Sequence, residues 1–201
     1  MPNTFRSGFR LILTLVCLAG VGCQLRRPKT PPVRMIEPQL LEPSLPDPPK
    51  PVTKSATATS VRLLATQARG HIGRHLLHRQ PNGELTEDSV WRWSSNPEIY
   101  LDTALRMEAA SNPDLRLIDS DRAPALAGTL LVWNLESDGG QRIVGAVEFQ
   151  IVGTDRALRS HLVEASEPVS AELPGDLAVA SGRLLRHIAS EGVAFVQETN
   201  D

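Results

Sequence analysis

The chain has 201 residues, 22 % charged and 41 % hydrophobic, with a formal net charge of −2. That length holds one domain or two. The near-neutral charge and an aromatic content of only 4 % offer neither the basic surface nor the stacking platforms of a nucleic-acid binder. Two cysteines cannot build a disulfide framework. Proline is unevenly spread, with nine of 16 falling between Pro28 and Pro51, so the chain divides into regions before it can be read as a fold.

Residues 1–10 carry Arg6 and Arg10 and no acid, and residues 11–22 (LILTLVCLAGVG) are apolar or small. A basic segment followed by so short an apolar run is the pattern of a secretory signal rather than a membrane span. Cys23 follows at once. The run Leu18-Ala19-Gly20-Val21-Gly22-Cys23 resembles the lipobox of bacterial lipoproteins, with Gly20 standing where leucine is usual. The resemblance implies that residues 1–22 are a signal peptide, that Cys23 is lipidated and becomes the mature N-terminus, and that the protein is anchored in a cell envelope facing the periplasm. An uncleaved signal anchor and a cleaved, unlipidated signal are the alternatives. Cys17 lies inside the apolar run behind Val16 and is a poor cleavage point. Cleavage would remove Arg6 and Arg10, leaving the remainder two charges more negative, and would leave no cysteine pair. Several acyl chains, at about 0.8 kcal/mol per buried methylene, hold a protein firmly in a bilayer. Gln24, rather than an aspartate, leans toward the outer membrane in lipoproteins of this kind.

Residues 23–57 comprise the lipidated cysteine and a proline-rich tether. Proline blocks helix and sheet hydrogen bonding and favours polyproline II. The sparse apolar residues Val33, Met35, Ile36, Leu40, Leu41 and Leu45 show no sustained period. Fully extended, this spacer would reach roughly 100 Å at about 3.1 Å per residue. A docking strip for a proline-recognising partner is the other reading. No internal repeat is present.

Residues 58–201 are long enough for a domain with a core of its own. Residues 60–68 and 72–79 read as strands, Pro81-Asn82-Gly83 as a turn, and 88–93 as a short strand. Asn96-Pro97-Glu98 opens a helix, with Asn at the cap, Pro at the first helical position and an acid in the first turn; Asn112-Pro113 closes it. A short strand over 115–119 follows. Residues 125–135 and 141–152 flank Glu136-Ser137-Asp138-Gly139-Gly140 and read as a long hairpin. Ile143, Gly145, Val147, Phe149 and Ile151 share one face, with Glu148 and Gln150 on the other, as in a sheet with one buried side. A strand over 156–164 comes next. A C-terminal helix after Pro174-Gly175-Asp176 carries Leu177, Leu184, Ile188 and Phe195 on one stripe. The expected fold class is α/β, of an α+β-like kind. It is a single domain in which two helices pack on a mixed, largely antiparallel sheet.

Candidate chemistry is sparse. His71, His75 and His78 lie close together, but Gly70 and Gly73 argue against a helix, and on a strand His78 faces away from the other two. Solvated strand histidines are the expectation, with no metal and no cofactor. His161 and His187 are expected to be single and unpartnered. Asp119, Asp121 and Arg122 read as a polar loop, and Trp91, Trp93, Trp133 and Phe149 as sheet core rather than a ligand surface. No nucleophile elbow, phosphate loop, dinucleotide fingerprint or zinc-protease motif occurs, so no catalytic residue is assigned and the protein is expected not to be an enzyme.

Residues 58–197 taken together resemble the ABC-type transport auxiliary lipoprotein components, which include proteins of the paraquat-inducible protein C type. The resemblance rests on the early hairpin, Val90-Trp91-Arg92-Trp93 ahead of the Asn96-Pro97 helix, the strand 115–119, the long hairpin with Trp133 and Phe149, and the closing helix near Asp176. Arg92-Trp93 matches the family's Arg-Trp, while Ile72-Gly73-Arg74-His75 stands where its Tyr-Leu-Asp-Arg element would be. The resemblance implies a non-catalytic partner of a mammalian-cell-entry-type periplasmic protein and its ABC transporter in lipid transport, with self-association among the expected contacts. A different reading, an outer-membrane lipoprotein contacting a cell-wall synthase, would use the same anchor and spacer.

Overall fold

The fold is that of a computed structural model, which describes residues 31–40, 55, 57–152, 158–170 and 174–199. Residues Val33–Asp201 form one compact unit. It is an α+β domain in which a nine-stranded mixed sheet carries two helices, as the sequence predicts.

The longest strand, β7 (Ala125–Glu136), is the spine of the sheet. One of its edges pairs antiparallel along its full length with β8 (Arg142–Val152), and β8 pairs in turn with β9 (Leu158–Pro168). The other edge is shared by three short strands in succession. β2 (Thr59–Leu63) pairs at its start, β3 (Gln67–Ala68) at its middle and β4 (His75–Arg79) at its end, all parallel to it. β5 (Leu85–Trp93) pairs antiparallel with β4, and β6 (Leu115–Leu117) runs parallel to β2. The run 60–68 therefore breaks into two strands: it follows β7 but steps away from it between Leu64 and Thr66.

Helix α1 (Pro97–Ser111) begins where Pro97 predicts. Asn96 is extended at the cap, but its side chain donates to Glu98 Oε1 at 3.0 Å instead of capping the backbone. The buried stripe of α1 is Tyr100, Leu101, Ala104, Leu105 and Ala109. Helix α2 (Gly175–Glu198) buries Leu177, Leu184, Leu185, Ile188 and Val196. It lies close against β8 because small residues meet large ones from both sides. A Cβ on Gly192 would stand 2.7 Å from the Phe149 ring, and one on Gly145 would stand 3.0 Å from Ile188. Trp93 and Trp133, both buried, meet at 5.7 Å between ring centres and join the β5 side of the core to the hairpin.

One segment departs from the sequence reading. Residues 33–40 fall inside the stretch taken as tether, yet Arg34–Ile36 form a strand, β1, parallel to β5 and at the margin of the sheet. Ile36 is 2 % exposed and belongs to the core. Ser94 N–H donates to Ile36 O at 2.8 Å. The chain then crosses α2: Gln39 N–H donates to Ala178 O at 2.9 Å, and Arg186 Nη1 donates to Gln39 O at 3.3 Å and Leu40 O at 3.0 Å. The crossing needs Gly182, whose Cβ would fall 1.9 Å from Gln39 O. Proline does not prevent this, because β1 contains none and a marginal strand needs ladder bonds on one side only. Residues 23–30, 41–54 and 56 of the proposed tether lie outside the described residues.

Replacing Gly182 by valine should therefore expel the 33–40 segment. We expect a loss of about 1–3 kcal/mol in urea unfolding and new protease cleavage between Val33 and Leu40, while β7–β9 stay protected from hydrogen exchange.

Candidate functional site

The most polar constellation among the described residues lies where β4 meets β5. The register jumps there: His75 pairs with Arg92, but Leu77 pairs with Glu87, so β5 carries three more residues than β4 over the same step. With more than one extra residue, this is a special bulge. Asp88 holds it. Its Oδ1 accepts from Val90 N–H at 2.7 Å and Trp91 N–H at 2.8 Å, and His78 Nε2 lies 3.0 Å from Oδ2. Burial by itself would raise the Asp88 pKa. The two backbone donors, the His78 hydrogen bond and the His78 charge outweigh it and bring the carboxyl below its ordinary value of 3.8.

On the opposite face of β4, Arg92 Nη1 stands 3.2 Å from His75 Nε2. Arginine can only donate, so Nε2 accepts and the neutral ring carries its proton on Nδ1. That nitrogen lies 2.8 Å from Glu87 Oε2, an ion-pair separation without hydrogen-bond alignment. Arg79 and Arg142 converge on Glu136 a few residues further along the same face, at 3.5 Å and 2.9 Å. A cavity of about 360 Å³ opens beside His75, lined also by Gly70, His71, Gly73, Leu77, Leu85 and Glu87.

The histidines thus differ from their expected state in one respect and match it in another. His75 and His78 are not simply solvated; each has a carboxylate partner from β5. The partners lie diagonally across the hairpin, two residues from the direct pairs Leu77–Glu87 and His78–Thr86, so the sequence shows them only once that register is known. His75 and His78 do face opposite ways, and His71 sits in a turn rather than on a strand. Among the described residues no group of three or more His, Cys, Asp or Glu side chains is placed to hold a metal ion. His161 has a partner after all, stacking on Phe195 at 5.1 Å, and His187 is exposed on α2.

The other sequence candidates also find places. Arg62 pairs with Asp121, and Arg62, Arg106 and Asp119 line a second cavity of about 390 Å³. Trp93, Trp133 and Phe149 are core. Trp91 is half-buried, with the Arg34 guanidinium 5.4 Å over its ring. Cys23 and residues 1–22 lie outside the described residues. No described helix is long and apolar enough to cross a membrane.

A second candidate surface is apolar. On the β8–β9 face turned away from the helices, Val152, Leu158 and Leu162 are 40 %, 62 % and 52 % exposed, and Val152 stands opposite Leu158 in the ladder. Among the described residues β9 pairs only with β8, so its far edge is open.

This geometry defines a one-sided α+β sheet domain. The solved structures similar to it include protein XCC0632 from Xanthomonas campestris, assigned to the family DUF330, with a TM-score of 0.61 and 16 % identity over 85 % of this chain and 98 % of that one. An uncharacterized protein is similar at 0.57 and 11 % identity, over 73 % of this chain and 95 % of that one. These likenesses show a shared fold. A minor lipoprotein from Acinetobacter baumannii, at a TM-score of 0.39 and 10 % identity over 71 % of this chain and 94 % of that one, is too distant to carry an argument. No protein-family model and no curated protein matches the sequence.

Asp88 supplies a pH test. Its folded pKa is lowered, so its contribution is complete above about 3.8 and fades as pH falls through the folded value. Asp88→Ala should lose about 1–3 kcal/mol near neutrality, since two backbone donors lose their acceptor. It should also flatten the acid limb of the stability curve, read by urea unfolding across that range.

Proposed function

We propose that this protein is a non-catalytic lipoprotein of a bacterial cell envelope, anchored through Cys23, that serves an ABC-type lipid transport system of the mammalian-cell-entry kind as an auxiliary component. The observation that carries the reading is the open sheet face. Val152, Leu158 and Leu162 lie beside the free edge of β9, and such a surface suits a protein partner or another copy of the chain better than a small substrate. The lipobox-like run ending at Cys23 supplies the anchor, and the resemblance of Arg92-Trp93 and the surrounding elements supplies the transport system. Outer-membrane placement, from Gln24, belongs to the same proposal.

The competing reading, contact with a cell-wall synthase, drew on a spacer able to reach roughly 100 Å. With residues 33–40 fastened to the domain, only ten residues separate Cys23 from Arg34, and that argument weakens.

The anchor is tested by metabolic lipid labelling. Cys23→Ala should abolish label and move the protein to the soluble periplasmic fraction; unchanged labelling and retention would refute it. The partner is tested by pull-down from membrane extract and by light scattering. We expect a mammalian-cell-entry-type protein or self-association, lost at least about tenfold in Leu158→Glu/Leu162→Glu, because two charges would be desolvated at the contact, with no change in melting. Capture of a penicillin-binding protein alone, by a monomeric chain, would favour the cell-wall reading.

A further inference from the structure

The cavity of about 390 Å³ lies where three elements meet. Arg62 and Leu63 end β2, Leu117 ends β6, and Arg106 stands on α1. Ile118 and Asp119 follow β6 and complete the lining. β2 has a parallel neighbour on each edge, β6 on one and β7 on the other. Crevices beyond the carboxyl ends of parallel strands are the usual place for ligands in open sheets. The volume suits a small molecule. Leu63 and Leu117 pack against the hydrophobic core, so the apolar wall is fixed.

The charged groups of this cavity have donors and an acceptor to spare. Arg62 pairs through Nη1 with Asp121, whose side chain is 91 % exposed and lies almost wholly in water. Such a pair holds weakly. Arg62 Nε is buried without a partner, a cost that a ligand acceptor would remove. Arg106 donates from Nε to Asp102 Oδ2 at 2.9 Å, one helical turn earlier, and keeps its two terminal nitrogens for other acceptors. Asp119 makes no ion pair among the described residues. The balance of charge decides what fits. Two guanidiniums stand against three carboxylates that line the cavity or pair with its arginines, Asp102, Asp119 and Asp121. A bare oxyanion would enter surroundings of net negative charge, and a bare cation would meet two arginines. A molecule that carries both signs meets neither obstacle.

We infer that this cavity binds a small zwitterion, with an oxyanion on Arg62 and Arg106 and a primary ammonium on Asp119. Guanidinium forks match the oxygens of a carboxylate or a phosphate. The ammonium brings three donors to a carboxylate that has no ion-pair partner. Free amino acids and ethanolamine phosphates share this chemistry. The site uses no residue of the open sheet face and does not depend on an anchor at Cys23.

The test is calorimetric titration of the full chain, in non-ionic detergent, with glycine, O-phosphoethanolamine, acetate and inorganic phosphate at equal ionic strength. We expect saturable binding of at least one zwitterion, at least about tenfold tighter than the matching anion without the amine. A stronger response to O-phosphoethanolamine identifies an ethanolamine phosphate as the source, and a stronger response to glycine a free amino acid. Arg106→Gln should weaken that binding at least about tenfold with little change in melting, because the side chain is half exposed and its pair with Asp102 is a surface one. Arg62→Lys, which keeps the charge but loses the fork, should weaken it as well. Asp119→Asn should remove the preference for the amine, so that each zwitterion binds no better than its anion. The inference is overturned if neither zwitterion binds saturably, if the anions bind the unaltered chain as tightly as their amines do, or if Arg106→Gln and Asp119→Asn bind in full.

Discussion

The structure depends on one strand having two different edges. β7 gives one edge entirely to β8, in an unbroken chain order that folds as a local hairpin. It gives the other to β2, β3 and β4, each too short to persist alone. Short parallel ladders contribute little by themselves, so the N-terminal strands depend on β7 for their pairing. The helices complete the arrangement. α2 lies on β8 and β9, its closest approach set by Gly145 and Gly192, and α1 packs on α2 and on the β6 side. Most of the apolar burial is thus on the helix side of the sheet, although Leu77, on the face of His75 and Arg79, is buried as well.

That open side is not uniform. Near the β4–β5 bulge it carries His75, Glu87 and Arg92, then the pair of arginines on Glu136. At the far end of β8 and β9 it carries Val152, Leu158 and Leu162. Charge thus lies at one end of the face and apolar area at the other. Ion pairs this exposed add little stability. The His78–Asp88 pair is different. It faces the helix side, it is mostly buried, and its task is to hold the extra residues of β5.

What was legible in the sequence follows from how local each signal is. The hairpin of β7 and β8 was readable because alternation from Ile143 to Ile151 and the glycines at 139 and 140 are adjacent in the chain. The ends of α1 were readable because Asn96-Pro97 and Asn112-Pro113 act on their own neighbours. β1 was not readable. Three residues are too few to show a period, and its pairing partner lies more than fifty residues away on β5. Met35-Ile36 gave the only hint: one buried and one exposed apolar residue side by side. The carboxylate partners of His75 and His78 were hidden for a related reason. They stand diagonally across the β4–β5 ladder, Glu87 opposite Leu77 and Asp88 two residues on from Thr86, so finding them needs the hairpin register.

The same non-local strand changes what the proline-rich region does. Read as a single spacer, it separates the domain from its anchor. Divided at β1, it contributes a strand to the sheet of the domain itself. Tension applied to the chain ahead of Val33 would act on β1 first, through Ile36 and the crossing at Gly182. A parallel, three-residue strand at the sheet margin resists such tension mainly through the burial of one isoleucine and the hydrogen bonds around Gln39. Those contacts therefore decide whether residues 33–40 stay with the domain, and that choice turns on one small helix residue, Gly182, rather than on proline content.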